Sequence, residues 1–219
     1  MSEMDDTTTL PAEPARHIVV DTEGTGLFDY KQPADADGQP RMASLTLIYC
    51  DAAFVPERIY SVYIRPDGWE MTEGATKVNG ITTEYLNEHG IPVAEALNEF
   101  QSAIDNGYIF VAHNAQHDAK QLRAELRRSG MDDRFENTMQ ICTMRGMTDV
   151  CKIPPRGGRG GYKWPALSEA LLFIGEQELG DHTAHNDAEG CRKLAAWMAR
   201  RGLLPEAKVY YAKNKPDAA

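Results

Sequence analysis

Apolar residues along this chain recur at two periods, and the period switches from segment to segment. The β-branched run His17-Ile18-Val19-Val20 ends at Asp21 and predicts a strand. Leu45 to Cys50 and Ile59 to Arg65 predict two more, with a turn holding Asp51 and Pro56 between them, so an antiparallel meander is expected. Thr82 to Glu88 reads as a short helix, and Val93, Leu97, Phe100 and Ile104 repeat at helical spacing. Tyr108 to Ala112 is a further strand. Ala119, Leu122 and Leu126 then mark one buried helix face, with Gly130 as its stop. Met139 to Thr143 predicts a fifth strand. Leu167, Leu171 and Ile174 predict a helix, and Ala188, Cys191, Leu194, Ala195 and Met198 the inward face of a last one. Polar loops with Gly, Pro and Asp fill Phe28 to Pro40, and a Gly- and Arg-rich loop fills Lys152 to Lys163. Early strands followed by alternating helix and strand predict an α/β fold, a central mixed five-stranded sheet flanked by helices on both sides.

Composition narrows this only in part. A chain of 219 residues with 42% hydrophobic and 26% charged residues suits one ordinary globular domain, expected over 17–203. It would lie between an acidic, flexible leader (1–16) and a Lys-rich tail (204–219). The apolar runs are of strand length, so no membrane span is expected, and the leader lacks a signal peptide's basic start and apolar core. The four cysteines, Cys50, Cys142, Cys151 and Cys191, form no CxxC pair and no zinc spacing, which points to reduced thiols and a cytoplasmic or comparable compartment. The formal net charge of −10 argues against a protein that coats long duplex. Binding of nucleic acid would have to rest on local basic patches and a short stretch or free end.

Candidate chemistry lies in three short motifs: Asp21-Thr22-Glu23-Gly24-Thr25-Gly26-Leu27, His113-Asn114-Ala115-Gln116-His117-Asp118, and His182-Thr183-Ala184-His185-Asn186-Asp187. Asp21 and Glu23 sit two apart on a strand, so both carboxylates aim at one face. Asp118 follows a strand at a helix start, where a carboxylate also serves as a cap. Asp187 falls in the first turns of the last helix, on the side of Ala184 and Ala188 that is expected to face the sheet. Clustered acids attract hard divalent cations such as magnesium. A neighbouring histidine with a reference pKa of roughly 6.5 can take a proton from water. His182, on the loop before the last helix, is placed for this; His185 points elsewhere. His113 and His117 are read as structural partners rather than ligands. If the fold joins the three stretches, a metal-dependent nuclease results.

Taken together and in this order, Asp21, Glu23, Asp118, His182 and Asp187 resemble the DEDDh (DnaQ-like) 3′→5′ exonuclease superfamily, over roughly His17 to Leu203. Lys77-Val78-Asn79-Gly80-Ile81 also looks like that family's turn before a helix. The resemblance implies a ribonuclease H-like fold. It implies two Mg²⁺ or Mn²⁺ ions held by Asp21, Glu23, Asp118 and Asp187, with Glu23 and His182 catalytic and His182 deprotonating the attacking water. It also implies release of nucleoside monophosphates from a nucleic acid with a free 3′ end, Gly24 and Thr25 offering backbone donors to the terminal sugar, and Leu27 wedging against the base. The chain departs from the family at Gly24, where Thr is usual, at His117, where an aromatic usually precedes the acid, and at Asn79, where His is common and a structural role is expected.

The loop 152–163 is basic and without acids, and Tyr162 and Trp164 can stack on bases, so a flap carrying Arg156 and Arg159 onto the strand is one reading and a solvated loop the other. Lys120, Arg123 and Arg127 on the helix after Asp118 are expected to form a solvated face. Single-stranded or frayed DNA ends in proofreading, repair or end trimming are the first substrate reading, and RNA ends the second. A non-catalytic subunit docking on a polymerase or other replication or repair partner is the reading from another class; the complete acid set and His182 speak against it.

Overall fold

The computed structural model describes residues 16–155, 157, 160–177, 180 and 183–211. Five strands, β1 (His17–Gly24), β2 (Met42–Cys50), β3 (Pro56–Tyr63), β4 (Ile109–Ala112) and β5 (Gln140–Cys142), form one sheet in the order β3-β2-β1-β4-β5. β1, β2 and β3 pair antiparallel, whereas β4 and β5 join parallel, as expected of a mixed sheet. The helices are α1 (Glu73–Asn79), α2 (Thr83–His89), α3 (Val93–Asp105), α4 (Ala115–Arg128), α5 (Thr143–Cys151), α6 (Leu167–Phe173) and α7 (Ala184–Arg200).

Strand alternation assigns each face its layer. Ile18 and Val20 of β1, with Leu45 and Leu47 of β2 and Phe110 of β4, pack on α3 and α4 through Leu97, Phe100, Ala119, Leu122 and Leu126. Val19, Ile48, Val111 and Ile141 point the other way and meet Ala188, Cys191 and Ala195 of α7. Each fully buried large side chain contributes roughly 1.5–3 kcal/mol, so these two interfaces carry the fold. α5, α6 and α7 share a smaller cluster around Met147, Leu171, Leu194 and Met198. Among the described residues no helix is long and apolar enough to cross a membrane.

Three local outcomes differ from the sequence expectation. β3 begins at Pro56 rather than Ile59; it is an edge strand, where a missing N–H costs least. α1 has no counterpart in that expectation, because Glu-Gly-Ala-Thr-Lys-Val-Asn has no apolar stripe; Thr72 caps it by accepting from the Ala75 N–H at 3.1 Å. α5 takes Thr143 from the expected strand and fills 144–151, to which the sequence assigns no element. A Cβ on its Gly146 would lie 2.6 Å from both Met198 Cε and Pro205 Cγ, so only glycine lets α5 approach this closely. The first part of the Lys-rich tail is packed: Lys208 pairs with Gln140 in an antiparallel bridge, and Tyr211 meets Phe135 edge-on. The rest of that tail and nearly all of the leader lie outside the described residues.

The expected solvated basic face is also different. Arg123 is buried, bonded to Asp133 at 2.8 Å and laid over Tyr211. Lys120 sits over Phe28 and Tyr30. One turn further, Glu125 is 1% exposed and accepts from Arg41 Nε (2.9 Å) and Nη2 (3.0 Å), Arg128 Nη1 (3.0 Å) and the Met42 N–H (3.1 Å). It joins α4 to the start of β2 and holds two guanidinium groups that would otherwise lose their counter-charge. Glu125→Ala should therefore cost about 3–5 kcal/mol in urea unfolding. A loss below about 1 kcal/mol would mean that water replaces the carboxylate and that the contact is not structural.

Candidate active site

Asp21 and Glu23 alternate with Thr22 on β1, so the two acids share the α7 face of the sheet while Thr22 faces α4. α7 opens at Thr183, whose hydroxyl accepts from the Asn186 N–H at 3.2 Å. Asp187 then falls in its first turn, where the helix dipole favours a carboxylate. Because Ala184 and Ala188 anchor this turn on the sheet side, Asp187 arrives beside β1. Carboxylate oxygens of Asp21, Glu23 and Asp187 lie within 4.8 Å of one another.

Asp118 stands just behind these three. It is 3% exposed, and its Oδ1 accepts from both the Thr22 N–H (3.0 Å) and the Thr22 hydroxyl (2.9 Å). The middle residue of the Asp-x-Glu motif thus ties α4 to β1 from the opposite face. A second contact without a signal in the motifs reaches Glu23: Asn79 Nδ2 donates to its Oε2 at 3.4 Å and to the Gly24 carbonyl at 3.5 Å, while Asn79 Oδ1 accepts from the Ile81 N–H. The structural role expected of Asn79 therefore includes holding a site carboxylate.

The electrostatics follow from the crowding. Burial pushes the Asp21 carboxyl well above the usual range, and the neighbouring Asp118, Asp187 and Glu23 raise it further. Burial likewise pushes Asp118 up to about 7, against the opposing hydrogen bonds from Thr22. An all-oxygen set of acids whose protons are held this strongly has the chemistry to receive a hard divalent cation.

The first-motif loop is tightly built. Thr25 is buried; its N–H donates to the Arg41 carbonyl (2.9 Å), its hydroxyl accepts from the Arg41 N–H (2.9 Å), and its carbonyl accepts from Thr72 Oγ1 (2.7 Å). The N–H expected to meet a sugar is thus engaged within the fold, and Thr25 shapes the loop. At Gly24 a Cβ would sit 3.2 Å from Gln121 Oε1 and 3.3 Å from the Arg41 carbonyl, so a larger residue would make these neighbours shift by a few tenths of an ångström. Leu27 is 90% exposed, an apolar side chain held in solvent.

His113 and His117 take structural roles. His113 bridges Thr143 Oγ1 and the Pro165 carbonyl, both at 3.0 Å, and burial lowers its pKa to about 4. It pins the end of the 152–163 loop rather than a metal. His117 packs edge-on against Phe28, and burial lowers its pKa too. His185 is exposed. That loop is closed at its base by the Lys163 N–H donating to the Ile153 carbonyl at 2.9 Å. His182, Arg156 and Arg159 lie outside the described residues.

With this geometry established, comparison with known proteins is direct. The family model of the RNase_T exonucleases matches residues 18–195. No curated protein matches the sequence. Among solved structures, Escherichia coli exonuclease I in complex with a dT13 oligonucleotide superposes with a TM-score of 0.69 at 19% identity, covering 85% of this chain and 41% of that one. The nuclease domain of 3′hExo, a DEDDh family member bound to rAMP, gives 0.67 at 13% identity, covering 91% of this chain and 100% of that one. A 3′-exonuclease that recognises the histone mRNA stem-loop gives 0.68 at 13%, with 91% and 87% covered. The chain spans about two fifths of the exonuclease I structure. The ribonuclease H-like sheet is common to these folds, and with the family model matched across the whole sheet and all three motifs, the chain belongs to the RNase_T exonuclease family, within the DEDDh superfamily that its motifs resemble.

Proposed function

We propose that this chain is a divalent-metal-dependent 3′→5′ exonuclease that releases nucleoside monophosphates from single-stranded or frayed DNA ends, in proofreading, repair or end trimming. The observation that carries the reading is the convergence of Asp21, Glu23 and Asp187 within 4.8 Å, with buried Asp118 behind them, in a chain of an exonuclease family. Asp21, Glu23, Asp118 and Asp187 would hold the metal, two Mg²⁺ or Mn²⁺ ions by this reading. When bound, it supplies Lewis-acid stabilisation of charge on the phosphodiester oxygens.

The chain's own groups do the rest. Thr22 orients Asp118, and Asn79 steadies Glu23. His182, immediately before the α7 cap in sequence, would take the proton from the attacking water; its reference pKa of roughly 6.5 suits that task near neutral pH. Leu27, held in solvent, would wedge against the terminal base, and the bare Gly24 backbone would let the sugar approach closely. Arg156 and Arg159 would meet phosphates from the 152–163 loop. The free thiols of the described fold suit a reducing, cytoplasmic setting, and the acidic leader would be the segment to meet a polymerase or other replication or repair partner.

An exoribonuclease is the second reading, favoured by one observation: the chain spans all of the 3′hExo nuclease domain but only 41% of exonuclease I. Incubation with Mg²⁺ or Mn²⁺ and 5′-labelled single-stranded DNA and RNA of one sequence separates the two. A ladder shortening from the 3′ end is expected, faster on DNA, abolished by EDTA and by Asp21→Ala. His182→Ala should slow it by about 10²–10⁴. Cleavage that survives Asp21→Ala would sink the assignment of the site.

A pH prediction follows from the acids. Asp118 has an ordinary pKa of 3.8 and is raised to about 7 in the fold. Between those values the folded state keeps a proton that the unfolded chain has released, so rising pH removes stability. In EDTA, the wild type should lose up to about 4 kcal/mol relative to Asp118→Asn as pH rises from about 4 to 7. Added Mg²⁺ should restore the difference at about pH 8 and far less at about pH 5, where protons compete. Thermal melts of both proteins test this; parallel pH profiles would contradict it.

A further inference from the structure

On the α3–α4 side of the same sheet end lies a cavity of about 480 Å³ whose walls include Arg41, Arg65, Trp69, Arg128 and the start of α3 at Val93. Nothing in the reaction described above uses it. We propose that it is a second nucleic-acid subsite, which takes a backbone phosphate and a base of the strand whose 3′ end occupies the carboxylate site.

Three observations carry this. The first is charge. Arg41 and Arg128 share one buried carboxylate, Glu125, so one positive charge is left over. Arg65 adds another; it is exposed and has no carboxylate partner among the described residues. The exposed Asp67 on the same rim offsets one of these. A net positive cavity stands out on a chain of net charge −10. It is the kind of local basic patch that such a protein needs to hold a polyanion.

The second is chemistry. Arg41 lies over the half-buried Trp69 ring, 5.5 Å from its centroid, so its guanidinium is held flat in the same cavity wall as the exposed Arg65. That pairing suits a nucleotide: the Arg41 guanidinium plane offers a stacking surface for a base, and the exposed Arg65 takes the phosphate. α3, thirteen residues long, enters the cavity with Pro92 at its cap and no side-chain capping bond, so its first N–H groups add donor capacity and the dipole's positive end. An Arg–Glu–Arg contact alone accounts for Arg41 and Arg128 as structural groups. It leaves the open volume and Arg65 without a purpose.

The third is position. Arg41 is the residue whose backbone exchanges two hydrogen bonds with Thr25 in the first-motif loop. The cavity and the first-motif loop are therefore joined through the Arg41–Thr25 link.

The inference rests on the exonuclease reading for the seating of the strand's end, and its test does not depend on turnover. Binding of 5′-labelled oligothymidylates of two and eight nucleotides is measured by fluorescence anisotropy in EDTA, for wild type, Arg65→Ala and Arg200→Ala. Arg200 is exposed at the opposite end of α7 and controls for net charge. Arg65→Ala should weaken the octamer at least fivefold more than the dinucleotide, and lower the octamer's salt slope by about 0.7. Arg200→Ala should change neither by more than about twofold. An Arg65→Ala loss equal at both lengths, or no loss, overturns the subsite even if the wild type digests DNA. Conversely, a length-dependent loss in a protein that digests nothing keeps the subsite and sinks the exonuclease reading.

Discussion

The rest of the structure depends on keeping four acidic groups together at the end of β1. Asp21, Glu23, Asp118 and Asp187 repel one another, and burial removes the water that would screen them. A fold that does this needs stiff supports on every side. α7 presses its Ala184, Ala188 and Cys191 flat on the sheet, so Asp187 cannot retreat. Thr22 pulls Asp118 in from the other face through two bonds to one oxygen. Asn79 reaches in from α1 to Glu23. The small residues in this part of α7 follow from the same demand: larger side chains would lift the helix, and its acid, off the strand.

What is legible in the chain follows from what period and spacing encode. The strict alternation of Val19, Asp21 and Glu23 against Val20 and Thr22 carries both the strand and the pairing of its acids on one face, so the centre of the site is written in adjacent residues. The inward stripes of α3, α4 and α7 are equally plain, because each buries large residues at helical spacing. α1 and α5 are not legible. The first makes its helix by capping rather than by burial, and the second depends on Gly146 meeting Met198 and Pro205, neighbours more than fifty residues away in sequence. Thr25 misleads for a related reason: a Gly-rich loop suggests free N–H groups, and only tertiary structure reveals that Arg41 takes one of them. The Thr22–Asp118 contact links residues far apart in sequence and leaves no mark in either motif, although a hydroxyl between the two acids of a strand motif is a reasonable signal to follow.

The basic residues of α4 show how charge composition misleads when read without partners. Arg123, Arg127 and Lys120 look like a solvated cationic face in sequence. In the fold they are drawn onto Asp133, Asp35 and the rings of Phe28, Tyr30 and Tyr211. Arginine and lysine stems cover apolar surface while their heads find acids, so these groups stabilise the α4 layer and contribute little free positive potential.

This matters for how so acidic a protein can handle a polyanion. Long-range attraction is unfavourable at a net charge of −10, so encounter cannot rely on a broad positive field. The acids of the site add to the repulsion until their charge is neutralised, so on the proposed reading bound metal would strengthen binding as well as supply chemistry. On the proposed reading, cations at the site and a short basic contact nearby would act together, each holding one or two phosphates. A site built this way favours an end over an interior stretch. An end brings fewer uncompensated phosphates past the acidic surface, and the closed Gly24–Thr25–Arg41 loop sets a wall against which a terminus, rather than a continuous strand, can be seated.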